Sequence, residues 1–483
     1  MNRNELEAAA EERLFDALLD EVVGRGATAP NTLRGNSRWL AAAVVLFGVA
    51  VVAGVVAISR APSNLAVQPQ EPAPLPPPVH VRGLAALQKL DRATTTNLCV
   101  QSLDGSELAA LEGFPQLRAL AIESAEESGA GDRPVTVWML TMLVQCPQLE
   151  RVSLGALGKG QRFDYAGLTK LPKLRSLVLA GSDKVVDAQL SGLLGKLPLR
   201  ELTLQRAQVL PGGLQLIGEL PLLERLELHD CPGLESCDLQ HLYRLRRLRS
   251  LSLQGVSNPE SRIVAVPGEP ISMQLPEVRD GKLVSCLTGP WMQGLTMALP
   301  ELSELDVSGS VVDAALLAAL PPGLTFLGVR DTLGLSGAGV ATICGLPELR
   351  TFACSDPRTR LGKWGFAIYS DFSSDCLPVL QKKLLRRIDF TGLLTDELIA
   401  ALRTQAELRE LRLQPLRQHK FSLGIRVDSA APKDLREVPL PNLTALAELP
   451  QLEKVELQHP QPELEAALRK VLPARVRIEI VER

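Results

Sequence analysis

Aromatic side chains are nearly missing from this chain: Phe, Tyr and Trp together make up 4% of its 483 residues. A cofactor pocket walled by rings, or a stacking platform for nucleic-acid bases, has little to draw on. An excess of one charge is missing too. Lys and Arg number 52 against 55 Asp and Glu, a formal net charge of -3, so no whole-chain field favours a phosphate backbone. The short catalytic signatures are also absent. There is no G-x-x-x-x-G-K-[ST], no H-E-x-x-H, no C-x-x-C and no G-x-S-x-G, and GALGKG at Gly155 is too short for a phosphate loop. The histidines His80, His229, His241, His419 and His459 show no metal-ligand spacing. These absences remove the common routes to an enzyme, and no cofactor, metal or nucleic-acid partner is expected.

The eight cysteines form no disulfide framework. Cys146, Cys231 and Cys354 stand where a repeat places small or apolar side chains, which reads as separate buried thiols. Cys231 and Cys237 are close enough in sequence to pair.

What is present begins with a distinctive first 60 residues. Asn4 can cap a helix, with Glu7 at the reciprocal position, and Leu14, Phe15, Leu18, Leu19 and Val22 follow at helical spacing before Gly24. Residues 5–23 read either as an amphipathic helix on a tail or as a docking helix for a cytoplasmic partner. Trp39 to Ser59 carries no charged residue and is long enough to span a bilayer. Arg25, Arg34 and Arg38 precede it, whereas no Lys or Arg occurs between Arg60 and Arg82, so the positive-inside rule puts the N-terminus in the cytoplasm. Seven prolines between Ala61 and Pro78 favour an extended polyproline spacer of about 50 Å. The expected organisation is a cytoplasmic tail at 1–38, a transmembrane helix at 39–59, a Pro-rich linker at 60–80 and a repeat domain at 81–483.

That domain restates one phrase. LPKLRSLVLAG, Leu171 to Gly181, returns as FPQLRALAIES at Phe114, CPQLERVSLGA at Cys146, LPLLERLELHD at Leu220, LPELSELDVSG at Leu299 and LPQLEKVELQH at Leu449. The apolar residue closing each core falls at Val100, Ile122, Leu154, Leu179, Leu204, Leu228 and Leu253. It recurs at Val307, Val329, Cys354, Phe390, Leu413, Leu457 and Ile480. Most intervals are 22 to 25 residues. Alternating apolar residues such as Leu177 and Leu179 predict a short strand with one buried face. Between strands, DAQLSGLLGKL (from Asp187), VVDAALLAAL and LTDELIAAL carry helical spacing, with Asp187 and Thr395 as caps. A proline near the end of each helix stops it and turns the chain toward the next strand.

The pattern L-x-x-L-x-L at this period resembles the leucine-rich-repeat family, in its ribonuclease-inhibitor-like and bacterial membrane-anchored forms. The resemblance covers residue 84 to the end. It implies an α/β solenoid: a curved horseshoe with parallel strands on the concave side and helices on the convex side, here preceded by one transmembrane helix. The family often places Asn or Cys just past the strand. Here that position reads Ser182, Ala207, Cys231, Val256, Ser310 and Thr332, so a continuous Asn ladder is absent. The tail and span are faintly similar to the cytoplasmic heads of bacterial single-pass anti-sigma-type regulators, without a zinc-binding His-Cys set.

Three long intervals interrupt the rhythm. Leu253 to Val307 is expected to hide a degenerate repeat near Lys282 to Gly289, and Leu413 to Leu457 is another insertion. Cys354 to Phe390 carries Trp364, Phe366, Tyr369 and Phe372. Insertions in solenoids map to one edge and clustered rings anchor interfaces, though rings can equally fold back on the solenoid. Candidate binding residues are therefore the outward positions of central strands, Glu227, His229, Glu304, Asp306, Phe326 and Arg330, together with Trp364, Phe366 and Tyr369. The function expected is non-catalytic protein–protein recognition by the repeats of a single-pass protein of the cytoplasmic (inner) membrane, repeats outside the cytoplasm. The alternative is a transmembrane regulator whose helix at 5–23 holds a transcription regulator while the repeats sense a ligand.

Overall fold

A computed structural model describes residues 75–481. It leaves out 102–109, 124–142, 156–164, 187–193, 257–286, 356–376 and 416–439, save for four two-residue strands within them, and several stretches of one to four residues. The tail, the apolar segment 39–59 and the rings Trp364, Phe366, Tyr369 and Phe372 lie outside the described residues. Among the described residues, no helix is long and apolar enough to cross a membrane.

Fifteen strands form one sheet, and every neighbouring pair is parallel and consecutive in the chain. We number them β1 (Val79–Arg82), β2 (Asn97–Gln101), β3 (Ala119–Glu123), β4 (Arg151–Leu154), β5 (Ser176–Ala180), β6 (Glu201–Gln205), β7 (Arg225–His229) and β8 (Ser250–Ser252). Then come β9 (Glu304–Asp306), β10 (Phe326–Gly328), β11 (Thr351–Ser355), β12 (Arg387–Gly392), β13 (Glu410–Pro415), β14 (Lys454–Gln458) and β15 (Arg477–Val481). Parallel strands need a crossover between them. Helical segments supply it, among them α1 (Leu84–Leu87), α2 (Pro211–Ile217), α3 (Gly289–Ala298), α4 (Ala314–Ala318), α5 (Gly337–Gly345), α6 (Asp396–Arg403) and α7 (Pro462–Val471). The chain is thus a parallel-strand α/β repeat solenoid. β1 adds a turn before the first repeat legible in sequence.

The repeated phrase explains this order residue by residue. In register, Val152, Leu177, Leu202, Leu226 and Leu251 form one inward column, and Leu154, Leu179, Leu204, Leu228 and Leu253 a second. All are at most 1% exposed and belong to a single core with the helix leucines. Each buried leucine side chain contributes about 2 kcal/mol. The proline of the phrase does more than stop a helix. In Phe114–Leu117, Cys146–Leu149 and Leu171–Leu174 the fourth N–H donates to the first carbonyl, at 3.2, 3.1 and 3.3 Å. Proline holds the second position of that β-turn, where its fixed φ is ideal.

Repeats are then stitched together at both strand ends. Before the strands, one carbonyl accepts two N–H groups from the next repeat: Glu150 O from Arg175 and Ser176 (2.8 and 3.0 Å), Arg175 O from Arg200 and Glu201 (2.8 and 2.9 Å). After each of β6 to β10 the chain turns through a left-handed residue. Arg206, Asp230, Gly255, Gly309 and Asp331 have φ of 55°, 51°, 69°, 68° and 51°. The next position is buried, and at Ser310 and Cys231 it takes over the bridging job of the missing Asn, whereas Thr332 Oγ1 donates within its own repeat to Val329 O at 3.0 Å. Ser310 Oγ donates to Leu253 O at 3.1 Å and Cys231 Sγ to Leu204 O at 3.5 Å, each reaching the preceding repeat.

Helix caps follow the sequence closely. Asp313 accepts from Leu316 N at 2.7 Å to start α4, and Thr395 from Leu398 N at 3.2 Å to start α6. Asp187 lies outside the described residues. One expectation is overturned. Residues 250–252 pair directly with 304–306, so no degenerate repeat is interposed near Lys282; Lys282–Leu283 instead pairs antiparallel with Val278–Arg279. A short apolar run does not by itself specify its partner strand, and here the pairing is made locally.

Candidate functional site

Because side chains alternate along a strand, residues between the two inward columns face away from the core. From β2 to β6 this open face carries small side chains, Cys99, Ala121, Ser153, Val178 and Thr203. Cys99 is nevertheless 2% exposed, and burial first, then the hydrogen bond and charge of Glu123, push its thiol up to about 12. Cys231 is also driven to about 12 by burial. Neither supplies a thiolate near neutral pH. Cys231 is unpaired and buried beneath the strand ends, so the pairing with Cys237 does not form.

In this central column, charge enters at β7 with Glu227. The six residues singled out in the sequence lie across β7–β10, Arg330 on the turn after β10 and the rest on strands, the four strands spanning about 14 Å at the usual spacing. Glu227 Oε2 accepts from Thr203 Oγ1 at 3.0 Å and lies 3.8 Å from His229 Nε2, which in turn meets Ser252 Oγ at 3.1 Å. Arg225 reaches over β8 to Glu304, Nη2 to Oε2 at 3.7 Å. Asp306 Oδ2 is 3.6 Å from Arg330 Nη2, and its Oδ1 accepts the Ser308 N–H at 2.9 Å. Ser308 Oγ takes the Arg330 N–H at 3.0 Å. Phe326 stands half-buried beside Glu304 in the register.

Glycine at 328 is part of this arrangement. Any Cβ there would collide with the Asp306 carboxylate, which leans across the bare backbone toward Arg330. Most ion pairs here are long, and Glu304 keeps 40% of its side chain exposed. The cluster is held in place without being neutralised. It can offer carboxylates, an imidazole, a guanidinium and one ring to a flat partner surface. Among the described residues no group of His, Cys, Asp and Glu could hold a metal.

A second charged area lies on β12–β15, and it was not singled out from sequence. Arg387 Nε contacts Asp389 Oδ1 at 2.9 Å and its Nη1 contacts Glu410 Oε2 at 3.2 Å. Arg412 Nε meets Glu456 Oε1 at 2.8 Å, and Lys454 Nζ meets Glu479 Oε2 at 2.7 Å. The hydrogen bond to Glu479 raises Lys454 above the ordinary lysine value, and the same bond lowers Glu479. The signal was in plain view. Arg387-Ile-Asp389, Glu410-Leu-Arg412 and Lys454-Val-Glu456 reverse sign from strand to strand, so stacking pairs opposite charges. These charges satisfy one another. The contrast with the looser cluster on β7–β10 separates cross-strand stapling from an offered surface.

No protein-family model matches the chain, and no curated protein is similar to it in sequence. Many solved structures show a loose likeness, among them the following two. The TLR13–ssRNA13 complex is 16% identical, covering 81% of this chain and 51% of that one, with a TM-score of 0.38. The chain thus spans about half the length of that receptor chain. An internalin, InlF, from Listeria monocytogenes str. 4b F2365 is 12% identical, covering 77% of this chain and 92% of that one, with a TM-score of 0.29. Likeness this distant carries nothing about partner or chemistry.

Proposed function

We propose that this chain is a non-catalytic recognition protein that binds a protein partner on the open sheet face across β7–β10. The supporting observation is the cluster of Glu227, His229, Glu304, Asp306, Phe326 and Arg330, placed on one surface by consecutive repeats and left partly unpaired. Its carboxylates outnumber its arginines, which disfavours a phosphate backbone. The apolar segment 39–59 tethers the repeats to the cytoplasmic membrane, with the arginines before it keeping the tail inside and the repeats outside. Trp364, Phe366 and Tyr369 supply further contacts to that partner.

A photo-crosslinking residue placed at Ser252 or Glu304 of the full chain, expressed in its own cells, tests this. Adducts to one protein from those positions, and none from Arg412, are expected. Adducts from Arg412 alone, or none from any position, overturn the assignment. Protease added to spheroplasts should remove the repeats and spare residues 1–38, and the reverse pattern overturns the orientation.

A further inference from the structure

Among the described residues, no further strand covers either end of the solenoid core. Interior strands bury both inward columns almost completely, as at Leu177 and Leu179, each 0% exposed. The first and last strands do not. Val79 on β1 is 41% exposed and Ile480 on β15 is 38% exposed, although both occupy core columns. Around them, Leu84 and Leu90 at one end and Ala467, Val471 and Ile478 at the other pack only partly against the core. Among the described residues each of these strands also pairs on one side only, leaving a row of peptide groups without a sheet partner.

We propose that copies of this chain associate head to tail, β15 of one lying parallel to β1 of the next. The step relating successive repeats then also relates successive molecules. It sets Val79 of the next copy beside Ile478, Val81 beside Ile480 and His80 beside Glu479. Apolar side chains meet at both core columns, and the half-exposed Glu479 carboxylate, one oxygen of which is held by Lys454, comes beside His80 and near the Arg82 guanidinium. A second copy is the occupant that completes both ends at once, which a single unrelated segment does not do.

The contact is short by construction. Pro76, Pro77 and Pro78 cannot donate to a ladder, and Pro76 O is held by Asn97 Nδ2 at 2.8 Å, so pairing is confined to the four residues of β1. Such an interface is weak at low concentration and forms when molecules are crowded, as on a membrane surface. It is heterologous, so it builds chains or rings rather than two-fold dimers.

The test is sedimentation velocity of the full chain in detergent over a range of concentrations, with Ile480→Asp and Val79→Asp. Both sites are partly exposed, and circular dichroism confirms that each variant is folded. Wild type should shift to larger species as concentration rises. Each variant alone should stay monomeric under the same conditions, its association weakened by tenfold or more. Mixed together they should form a species of two and no larger, because one retains a sound first strand and the other a sound last strand. A wild type that stays monomeric, a variant that associates as wild type does, or a mixture that stays monomeric would each overturn the proposal. None of these outcomes depends on the recognition face, so this inference can fail while that one stands.

Discussion

At the scale of single residues, alternation along the strand decides nearly everything, and it is also the most legible feature of the sequence. Leu177 is fully buried while Ser176, one position earlier, faces outward half-exposed. Leu177→Asp places a carboxylate in an apolar core and should cost several kcal/mol. Ser176→Asp should leave the melting temperature within about 2 °C of wild type, since surface changes cost little. Equal melting temperatures for the two variants would mean that the strand register is wrong. The residue just past each strand was harder to read. Arg206 adopts φ 55° where Gly255 adopts 69°, and nothing in the identity of an arginine announces a left-handed conformation. Arg206→Gly should stabilise by up to about 1 kcal/mol, relief of Cβ strain outweighing the added freedom of the unfolded chain. Gly255→Ala should destabilise, because its Cβ would also strike the Asp230 carboxylate. Denaturant titrations of the pair check the opposite signs.

Elements were legible wherever the local rule and the repeat agreed. Asp313 and Thr395 stand three residues before Leu316 and Leu398, and they cap α4 and α6 through those N–H groups. Thr395→Ala should cost about 1 kcal/mol and Thr395→Asp should restore it, because an N-cap needs an oxygen acceptor rather than bulk. Failure of the Asp variant to recover the melt would remove the cap from the account of α6. The long interval after β8 misled because an apolar run does not say which strand it pairs with, and Lys282–Leu283 pairs locally with Val278–Arg279. The paired charges of β12–β15 were missed for a different reason. Each strand taken alone looks like an ordinary exposed pair, and the sign reversal acquires meaning only once the strands are stacked in register. The cluster on β7–β10 was legible as a list of outward positions. Its tie through Ser308 and the need for glycine at 328 depend on which residues face each other across strands.

For the whole repeat unit, the governing fact is that each strand touches only its neighbours. Stability is then a sum of repeat and interface terms, without a single nucleus shared by all. Damage should therefore spread along the sheet and fade with distance. In hydrogen exchange on Leu177→Asp under native conditions, the amides of β4 and β6 should lose protection together with β5, because their ladders run directly to it. The amides of β12–β14 should keep theirs, since several strands intervene and Arg387, Asp389, Glu410, Arg412 and Glu456 clamp them to one another across the open face. Uniform loss along the sheet would show instead that the repeats unfold as one all-or-none unit. In that case the interfaces between repeats outweigh the repeats themselves, and a partner held on β7–β10 would stabilise both ends equally. Graded loss has the other consequence: a partner bridging those four strands would protect them most, and the exposed ends would stay free to meet another copy.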